Sequence, residues 1–142
     1  MPALFEHSRR VRSEEIDRQG HANNVAFVQW MQEAALAHSA EQGWPAARYR
    51  DAGYSWVARS HYIEYRRPAF EDDELLIRTW VATMDRCSSV RRYQMVRAAD
   101  GQLLAVAETN WAFVALAEEK LARIPAEVSS AFELLDRGMK AV

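Results

Sequence analysis

The stretch Glu15–Phe27 concentrates the residue types that acyl-transfer chemistry uses. It holds an acid, a glycine, an imidazole and two amides, which are Asp17, Gly20, His21, Asn23 and Asn24. A helix that starts after these amides exposes unpaired backbone N–H groups and the positive end of its dipole. Such donors stabilise the oxyanion of an attacked carbonyl, and a carboxylate seven residues upstream of Asn24 can act as base or nucleophile. The pattern therefore favours hydrolysis of an ester or a thioester.

Each of these residues also has an ordinary structural explanation. An acid in a loop is commonly solvated, asparagines commonly cap helices, and a glycine commonly marks a turn. A single histidine is more often a surface or packing residue than a catalytic one. Residue type and spacing alone therefore leave the catalytic and the structural explanations both open.

A long helix is predicted directly after this stretch, over about Val25 to Gln42. Apolar side chains recur along it at helical spacing, at Phe27, Trp30, Met31, Ala34 and Ala37. Asn23 or Asn24 can cap its start, and Gly43 followed by Pro45 ends it. This helix is the element that would carry the amide donors.

Residues 54–116 are predicted to be mostly strands, because runs of alternating or β-prone side chains are separated by polar corners. Short turns are predicted at Met84-Asp85-Arg86 and at Ala99–Gln102, which has Asp100-Gly101 at its centre. Consecutive strands joined by such turns form an antiparallel meander. A weaker strand is predicted at Arg9 to Ile16, and a short C-terminal helix at about residues 126–137.

The length of 142 residues fits one domain, predicted over 1–142 without a linker or an internal repeat. A sheet with one apolar face needs a cover, and only the early helix is predicted to be long enough. The expected fold class is therefore α+β, with the long helix lying across an antiparallel sheet.

The composition argues against several other classes of protein. A net charge of -2 is not the broadly basic surface of a nucleic-acid-binding protein. The single cysteine, Cys87, excludes an internal disulfide, and the four histidines are not spaced as metal ligands. The N-terminus becomes charged after five residues, and no apolar run approaches the roughly 18–20 residues of a membrane span. We expect a soluble, cytoplasmic protein without a metal.

The pattern Asp-x-x-Gly-His-x-Asn-Asn at residues 17–24 resembles the 4-hydroxybenzoyl-CoA thioesterase branch of the hotdog-fold acyl-CoA thioesterases. Further matches occur in the right order, at Tyr65-Arg66-Arg67-Pro68-Ala69, Asp73-Glu74-Leu75, Asp100-Gly101 and Arg123-Ile124-Pro125. The resemblance covers about residues 8–128, the expected core of the domain. Ala22, Phe27 and Glu15 depart from it, since valine, tyrosine and a second aspartate are commoner there.

The resemblance implies a five-stranded antiparallel sheet wrapped around one long helix, which agrees with the layout above. It also implies homodimers, often paired into homotetramers, with the active site at the subunit interface. Asp17 would be the catalytic carboxylate, and a backbone N–H near Asn24 would polarise the carbonyl. Gly20, His21 and Asn23 would shape the loop or contact the acyl group.

The reaction implied is hydrolysis of an acyl-CoA to a free acid and CoA, without a cofactor. Asp17 would either activate a water or attack the carbonyl to form a mixed anhydride, and the residues leave both routes open. CoA and acyl carrier protein are both compatible as carriers. The phosphates of CoA require cations, for which Arg86, Arg91 and Arg123 are candidates.

Three other assignments compete with this one. Glu33 is a rival acid, since other hotdog branches place the catalytic carboxylate on the helix. A hydratase or dehydratase of acyl thioesters would need a histidine with a carboxylate, here His38 with Glu33, whose five-residue separation puts them only loosely on one helix face. A non-catalytic module that binds acyl-CoA or acyl carrier protein is the third alternative, against which the intact Asp17 loop argues.

Overall fold

A computed structural model describes residues 3–135 and 138 of the chain. One antiparallel sheet and one long helix, α1 (Asn24–Glu41), dominate it. The strands are β1 (Phe5–Arg10), β2 (Tyr54–Tyr65), β3 (Glu74–Met84), β4 (Ser88–Arg97), β5 (Leu103–Ala115) and the two-residue β6 (Lys120–Leu121). The shorter helical segments are a 3-10 turn (Ser13–Glu15), α2 (Ala46–Ala52) and α3 (Ala126–Ser129).

The strands lie in the order β1-β3-β4-β5-β2, with every pairing antiparallel and with β6 paired to β5. β3, β4 and β5 form the predicted meander, and their turns fall where the sequence indicates. β2 crosses over to β5, with Tyr54 opposite Ala115 and Tyr65 opposite Ala105. Among the described residues β2 has no strand on its other side, so it is an edge of the sheet. The predicted α+β fold, a five-stranded sheet with one long helix, is confirmed.

Helix α1 packs across one face of the sheet and begins and ends within one residue of its predicted bounds. Its buried side chains are Ala26, Phe27, Trp30, Met31, Ala34 and His38. All of these except His38 share a core with side chains of the three meander strands, which include Leu75, Ile77, Tyr93, Met95, Ala105 and Ala107. Each large apolar side chain buried in this way contributes roughly 1.5–3 kcal/mol. This packing fixes the position of the helix N-terminus relative to the sheet.

The predicted strand at Arg9–Ile16 is wrong, because β1 ends at Arg10 and the chain then turns through the 3-10 segment. The cause is the side chain of Glu15, which folds back onto the turn. Its Oε1 accepts the Arg12 N–H at 2.9 Å and the Arg9 Nη1 at 2.6 Å. Such side-chain bonds satisfy backbone groups of the turn, which in a strand would have to pair with a neighbouring strand.

The C-terminal helix is shorter than the predicted 126–137, since α3 ends at Ser129. Leu134 instead forms a parallel bridge with Val81 of β3, and the Leu135 N–H donates to the Val81 carbonyl at 2.9 Å. The chain therefore runs along β3 there. Residues 136 and 137, the end of the predicted helix, lie outside the described residues.

Helix α2 is missing from the sequence prediction, which ended the long helix at Gly43 and Pro45. Pro45 stands at the N-cap of α2, and Gly53 closes it in the left-handed conformation with a φ of 92°. Only seven residues long, α2 offers too few turns for a clear periodicity. Its buried residue, Tyr49, stacks on Trp44 with ring centroids 4.9 Å apart.

Candidate active site

Residues 16–22, the Asp17 loop, hold the Asp17 carboxylate with short hydrogen bonds. The Asp17 N–H donates to the His21 carbonyl at 2.7 Å, and the N–H groups of Gln19 and His21 donate to Asp17 Oδ1 at 2.8 and 3.2 Å. Gly20 has a φ of 85°, which a residue with a side chain rarely adopts. These bonds engage Oδ1 alone, so Oδ2 has no hydrogen-bond partner among residues 3–135 and 138.

Two backbone hydrogen bonds tie the Asp17 loop to the rest of the fold. The Ala22 N–H donates to the carbonyl of Ala69 at 2.8 Å, and the Asn23 N–H donates to the carbonyl of Glu15 at 2.8 Å. Ala69 is fully buried in the corner that follows β2. The loop is therefore held between the start of α1 and the end of β2.

The start of α1 presents two backbone donors to this loop. Asn23 is the N-cap, and its Oδ1 accepts the Ala26 N–H at 2.8 Å. Within the described part of the chain, the N–H groups of Asn24 and Val25 have no acceptor. Both lie at the positive end of the helix dipole. Asn23 is thus a capping residue, while Asn24 and Val25 supply the unpaired donors.

An open cavity of about 460 Å³, the Asp17 cavity, lies between the Asp17 loop and the start of α1. Asp17, His21, Asn24 and Val25 all line it, together with Gln19, Ala22, Phe27, Tyr65, Arg66, Arg67 and Pro68. The structure therefore brings together three of the residues that the sequence indicates, Asp17, His21 and Asn24. Asp17 is exposed at this cavity. A carboxylate and unpaired amide donors in the wall of one cavity can act on a carbonyl group bound between them.

Tyr65 and Arg67 belong to this cavity but are missing from the sequence-predicted site. The Tyr65 ring meets Phe27 edge to face at 5.1 Å, its hydroxyl donates to the Asn24 carbonyl at 3.5 Å, and burial raises the pKa of Tyr65. Arg66 is paired with Glu64 at 2.8 Å, whereas no ion pair of Arg67 occurs among the described residues. Tyr65 and Arg67 both belong to the Tyr-x-x-Pro-Ala match at residues 65–69, so that motif is the sequence signal that could have identified them.

Arg86 and Arg123 lie next to each other but far from Asp17 within one protomer. The Ile124 N–H donates to the Arg86 carbonyl at 2.8 Å, and both arginines are exposed. They lie at the end of the sheet where β3 passes into β4. Asp17 lies at the opposite end, where β2 finishes. A single chain therefore does not assemble the predicted carboxylate and these two cations into one site.

Arg91 is separated from the other two arginines because it is buried beneath α1. Its side chain is 6% exposed, and its Nη1 donates to His38 Nδ1 at 2.9 Å and to Thr79 Oγ1 at 3.0 Å. Burial lowers the pKa of Arg91, against the opposing influence of Tyr93 and Tyr49. This position is not on the surface that Arg86 and Arg123 share.

Glu15, two residues before Asp17, is a buried structural carboxylate. In addition to the bonds from Arg9 and Arg12, its Oε2 accepts the Trp30 Nε1–H at 3.2 Å. Burial acts to raise the pKa of Glu15, but the hydrogen bonds from Arg12, Arg9 and Trp30 outweigh it, so the pKa is lowered. The ionised Glu15 therefore connects α1 to the base of the Asp17 loop.

Glu33, the rival acid, and His38, its proposed histidine partner, bond to different residues. Glu33 forms a two-point ion pair with Arg9, at 3.1 Å from Nε and 3.2 Å from Nη2. His38 is 2% exposed and bonds to Arg91. Burial and the nearby Arg91 cation lower the pKa of His38 to about 3. The structure does not bring His38 and Glu33 together as the acid–base pair of a dehydratase.

The described residues contain no group of three or more His, Cys, Asp or Glu side chains arranged to hold a metal ion. In the Asp17 cavity the potential ligands within that described part are Asp17 and His21. Among these residues, no helix combines the length and the hydropathy that crossing a bilayer requires.

Comparison with known proteins agrees with this architecture. A family model described as the thioesterase-like superfamily matches residues 11–132. A relative from Aquifex aeolicus (strain VF5) that carries a provisional esterase name is 27% identical over 128 residues, which are 90% of this chain and 95% of the relative.

Solved structures share the fold. A 1,4-dihydroxy-2-naphthoyl-CoA thioesterase from Synechocystis is 24% identical with a TM-score of 0.85, covering 95% of this chain and 99% of its own. A DHNA-CoA thioesterase from Staphylococcus aureus is 20% identical with a TM-score of 0.80, covering 84% of this chain and 80% of its own.

A curled antiparallel sheet around one long helix is the hotdog architecture. The chain belongs to the thioesterase-like superfamily and is a thioester hydrolase. The predicted family resemblance, fold and enzyme class are confirmed.

Proposed function

We propose that this thioester hydrolase acts on acyl-CoA, with Asp17 as the catalytic carboxylate and the amide groups of Asn24 and Val25 as the oxyanion donors. One observation supports this assignment above all. Asp17, Asn24 and Val25 line the same open cavity of about 460 Å³, and the N–H groups of Asn24 and Val25 have no acceptor among the described residues. His21 and the left-handed Gly20 serve to shape the loop, and Asn23 serves as the cap of α1.

The mechanism follows from this arrangement. The carbonyl oxygen binds at the start of α1, where the amide groups stabilise the negative charge as the carbonyl carbon becomes tetrahedral. Asp17 Oδ2 takes a proton from a water that adds to that carbon, or itself adds to form a mixed anhydride that water then hydrolyses. In both routes the C–S bond breaks, the CoA thiolate leaves and takes up a proton, and the free acid remains.

CoA as the carrier is supported by the relatives and by the charge near the site. Of the structures that share the fold, one is named as a 1,4-dihydroxy-2-naphthoyl-CoA thioesterase and another as a DHNA-CoA thioesterase. Arg67 lines the Asp17 cavity. A guanidinium can bind a phosphate oxygen with two hydrogen bonds. Arg67 is therefore an additional candidate for the phosphates, beside Arg86 and Arg123.

We also infer that two copies of the chain are needed for a complete site. The edge strand β2 exposes apolar side chains, which are Val57 at 47%, Tyr62 at 53% and Tyr65 at 43%. An unpaired strand edge readily pairs with another strand, and a two-fold axis makes two identical edges antiparallel. Pairing through β2 would therefore give a homodimer with one continuous sheet.

Such a pairing would also explain why the arginines lie far from Asp17 in one chain. In antiparallel β2 strands, the Tyr65 end of one copy lies beside the Tyr54 end of the other. The Tyr54 end is the end of the sheet that carries Arg86 and Arg123. Asp17 of one copy and both arginines of its partner would then act on one substrate.

The assignment of Asp17 is tested by Asp17→Asn. The amide oxygen of asparagine can still accept the Gln19 and His21 N–H groups, so the loop should keep its shape. Asparagine can neither attack the carbonyl nor take up the proton, so we expect kcat to fall by about 10²–10⁴. The measurement is release of free CoA from a panel of acyl-CoAs, detected with a thiol reagent.

Glu14→Gln is the matched control, because Glu14 is an exposed acid in the same segment that does not line the cavity. It should leave kcat unchanged. Near wild-type turnover by Asp17→Asn, with an unchanged circular dichroism spectrum, would contradict the assignment. Loss of an enoyl chromophore without release of CoA would instead indicate a hydratase. Tight binding of acyl-CoA by the wild type without any turnover would indicate a binding module.

A further inference from the structure

A second cavity of about 380 Å³, the aromatic cavity, lies beside the C-terminal half of α1. A third of the residues in its wall are aromatic, namely Trp44, Tyr49, Tyr54, Trp56, Trp111 and Phe132. None of the described residues that line it is acidic, whereas two, Arg50 and Arg91, are cationic. The volume falls in the range of small-molecule sites.

Arg91 is the unusual residue of this wall, because it is a buried cation without a counter-ion. It is 6% exposed, and no ion pair of its guanidinium occurs among residues 3–135 and 138. Removing a charge from water without an opposite charge costs several kcal/mol. The other arginine, Arg50, is exposed to solvent and carries no such cost.

The groups that face Arg91 do not neutralise it. His38 lies on α1, Thr79 on β3, and the phenols of Tyr93 and Tyr49 on β4 and α2. The pKa of His38 is lowered to about 3 by burial and by Arg91, so this imidazole is neutral at neutral pH. All of these partners are therefore uncharged polar groups.

The hydrogen bonds of Arg91 leave one edge of its guanidinium unused. Both bonds, to His38 and to Thr79, come from Nη1. A guanidinium has five N–H donors, and its Nε–Nη2 edge matches the two oxygens of a carboxylate. Nε and Nη2 have no hydrogen-bond partner in the described part of the chain.

We propose that the aromatic cavity binds the far end of the substrate's acyl group, and that this end carries a carboxylate that pairs with Arg91. The proposal rests on the proposed function, including the two-copy assembly. Ser39 of the cavity lies 15 residues after Asn24, which is about 22 Å along α1. The cavity of one copy would therefore serve the Asp17 of its partner, since antiparallel β2 strands bring these two ends together.

The kinetic test compares CoA thioesters of dicarboxylic acids with those of monocarboxylic acids of equal chain length, for example adipyl-CoA and hexanoyl-CoA. We expect the wild type to have a KM about tenfold or more lower for the dicarboxylic member, since a charge-assisted hydrogen bond is worth at least that factor. Equal KM values throughout a series of increasing chain length would overturn the proposal. This comparison needs no variant.

Arg91→Gln should abolish this preference by raising the KM for adipyl-CoA to that for hexanoyl-CoA. Arg92→Gln is the control, because Arg92 is the next residue of β4 on the other face, paired with Glu108 at 2.9 Å, and it should keep the preference. A preference that survives in a folded Arg91→Gln would overturn the role of Arg91. If Arg91→Gln does not fold, Arg91→Lys, which keeps the charge but loses the two-point geometry, should weaken the preference in part.

A binding measurement separates this proposal from the proposed function. Benzoate and its neutral analogue benzamide are titrated against the wild type, with quenching of the cavity tryptophans as the signal. Benzoate should bind at least about tenfold more tightly than benzamide, and Arg91→Gln should remove the difference. Such binding without hydrolysis of any acyl-CoA would support the carboxylate site and contradict the proposed function. Equal binding of benzoate and benzamide would overturn the site itself.

Discussion

Glu15 and Asp17 are two residues apart, and their surroundings give them opposite roles. Glu15 is 8% exposed, and its two oxygens accept three hydrogen bonds. Asp17 is exposed, and the loop engages only its Oδ1. A carboxylate that attacks a carbonyl or takes up a proton needs an unoccupied oxygen, whereas a structural one does not. The catalytic role therefore fits Asp17, and Glu15 supports the loop that presents it.

We expect Glu15→Gln to lower the free energy of unfolding by about 1–3 kcal/mol at neutral pH, because it weakens the buried hydrogen bonds from Arg9, Arg12 and Trp30, while Arg9 keeps its ion pair with Glu33. The measurement is urea-induced unfolding followed by circular dichroism. Glu74→Gln is the control, since Glu74 pairs with Arg10 at the surface and such pairs contribute about 0–1 kcal/mol.

The effect of Glu15→Gln should also depend on pH. The pKa of Glu15 is lowered in the folded protein from its ordinary value of 4.5, so its contribution is fully present above that pH. As the pH falls through the folded-state pKa, the contribution is lost, and the curves of the wild type and the variant should converge. A difference in stability that stayed constant from neutral pH down to acid unfolding would contradict this role.

Residues of the site could be predicted from the sequence where they are close along the chain. Asp17, His21 and Asn24 come from one short motif, and the structure places them at one cavity. The buried position of Arg91 could not be predicted, because a charged residue on a strand is ordinarily exposed and only the packing of α1 covers it.

At the scale of elements, the start of α1 determines which amide groups are available. Asn23 has φ −73° and ψ 161°, the extended conformation that a residue before proline prefers. Asn24 is the first helical residue, where proline is well tolerated, and its N–H has no acceptor among the described residues. A proline at position 24 can therefore delete one amide donor without disturbing the helix.

We expect Asn24→Pro to lower kcat by about 10²-fold or more, because one oxyanion donor is lost, with little change in thermal stability. Asn24→Ala is the control: it removes the same side chain but keeps the backbone N–H, and should retain most of the activity. Activity and circular dichroism of both variants are measured in parallel. If Asn24→Pro were as active as Asn24→Ala, the Asn24 amide would not be a donor for the carbonyl oxygen.

The elements that the sequence predicts well are those whose signals are local. Helix α1 has a cap, a repeated apolar spacing and a glycine stop, and the β4–β5 hairpin has Asp100-Gly101 at its turn. The strand assignment at Arg9–Ile16 failed because a buried side-chain contact of Glu15, not a local propensity, decides that conformation. The pairing of β2 with β5 is likewise a long-range contact that no turn signal specifies.

At the scale of the whole molecule, the parts of the proposed site lie at two ends of one sheet. The Asp17 cavity is at the Tyr65 end of β2, while Arg86, Arg123 and the aromatic cavity are at the Tyr54 end. Two chains related by a two-fold axis would contain two complete sites, each with contributions from both copies. This arrangement can be tested directly, because a mixed dimer then differs from either parent.

The test mixes two impaired proteins, Asp17→Asn and the double variant Arg86→Ala/Arg123→Ala. In a mixed dimer, one site receives Asp17 from the double variant and both arginines from the Asp17→Asn chain, so it is intact. With random exchange at equal amounts, half of the dimers are mixed and half of their sites are intact, giving about a quarter of wild-type activity. The assay is CoA release at low substrate, after unfolding and refolding the two proteins together and separately. Activity equal to the mean of the two separate samples would show that the carboxylate and the arginines do not act across two copies.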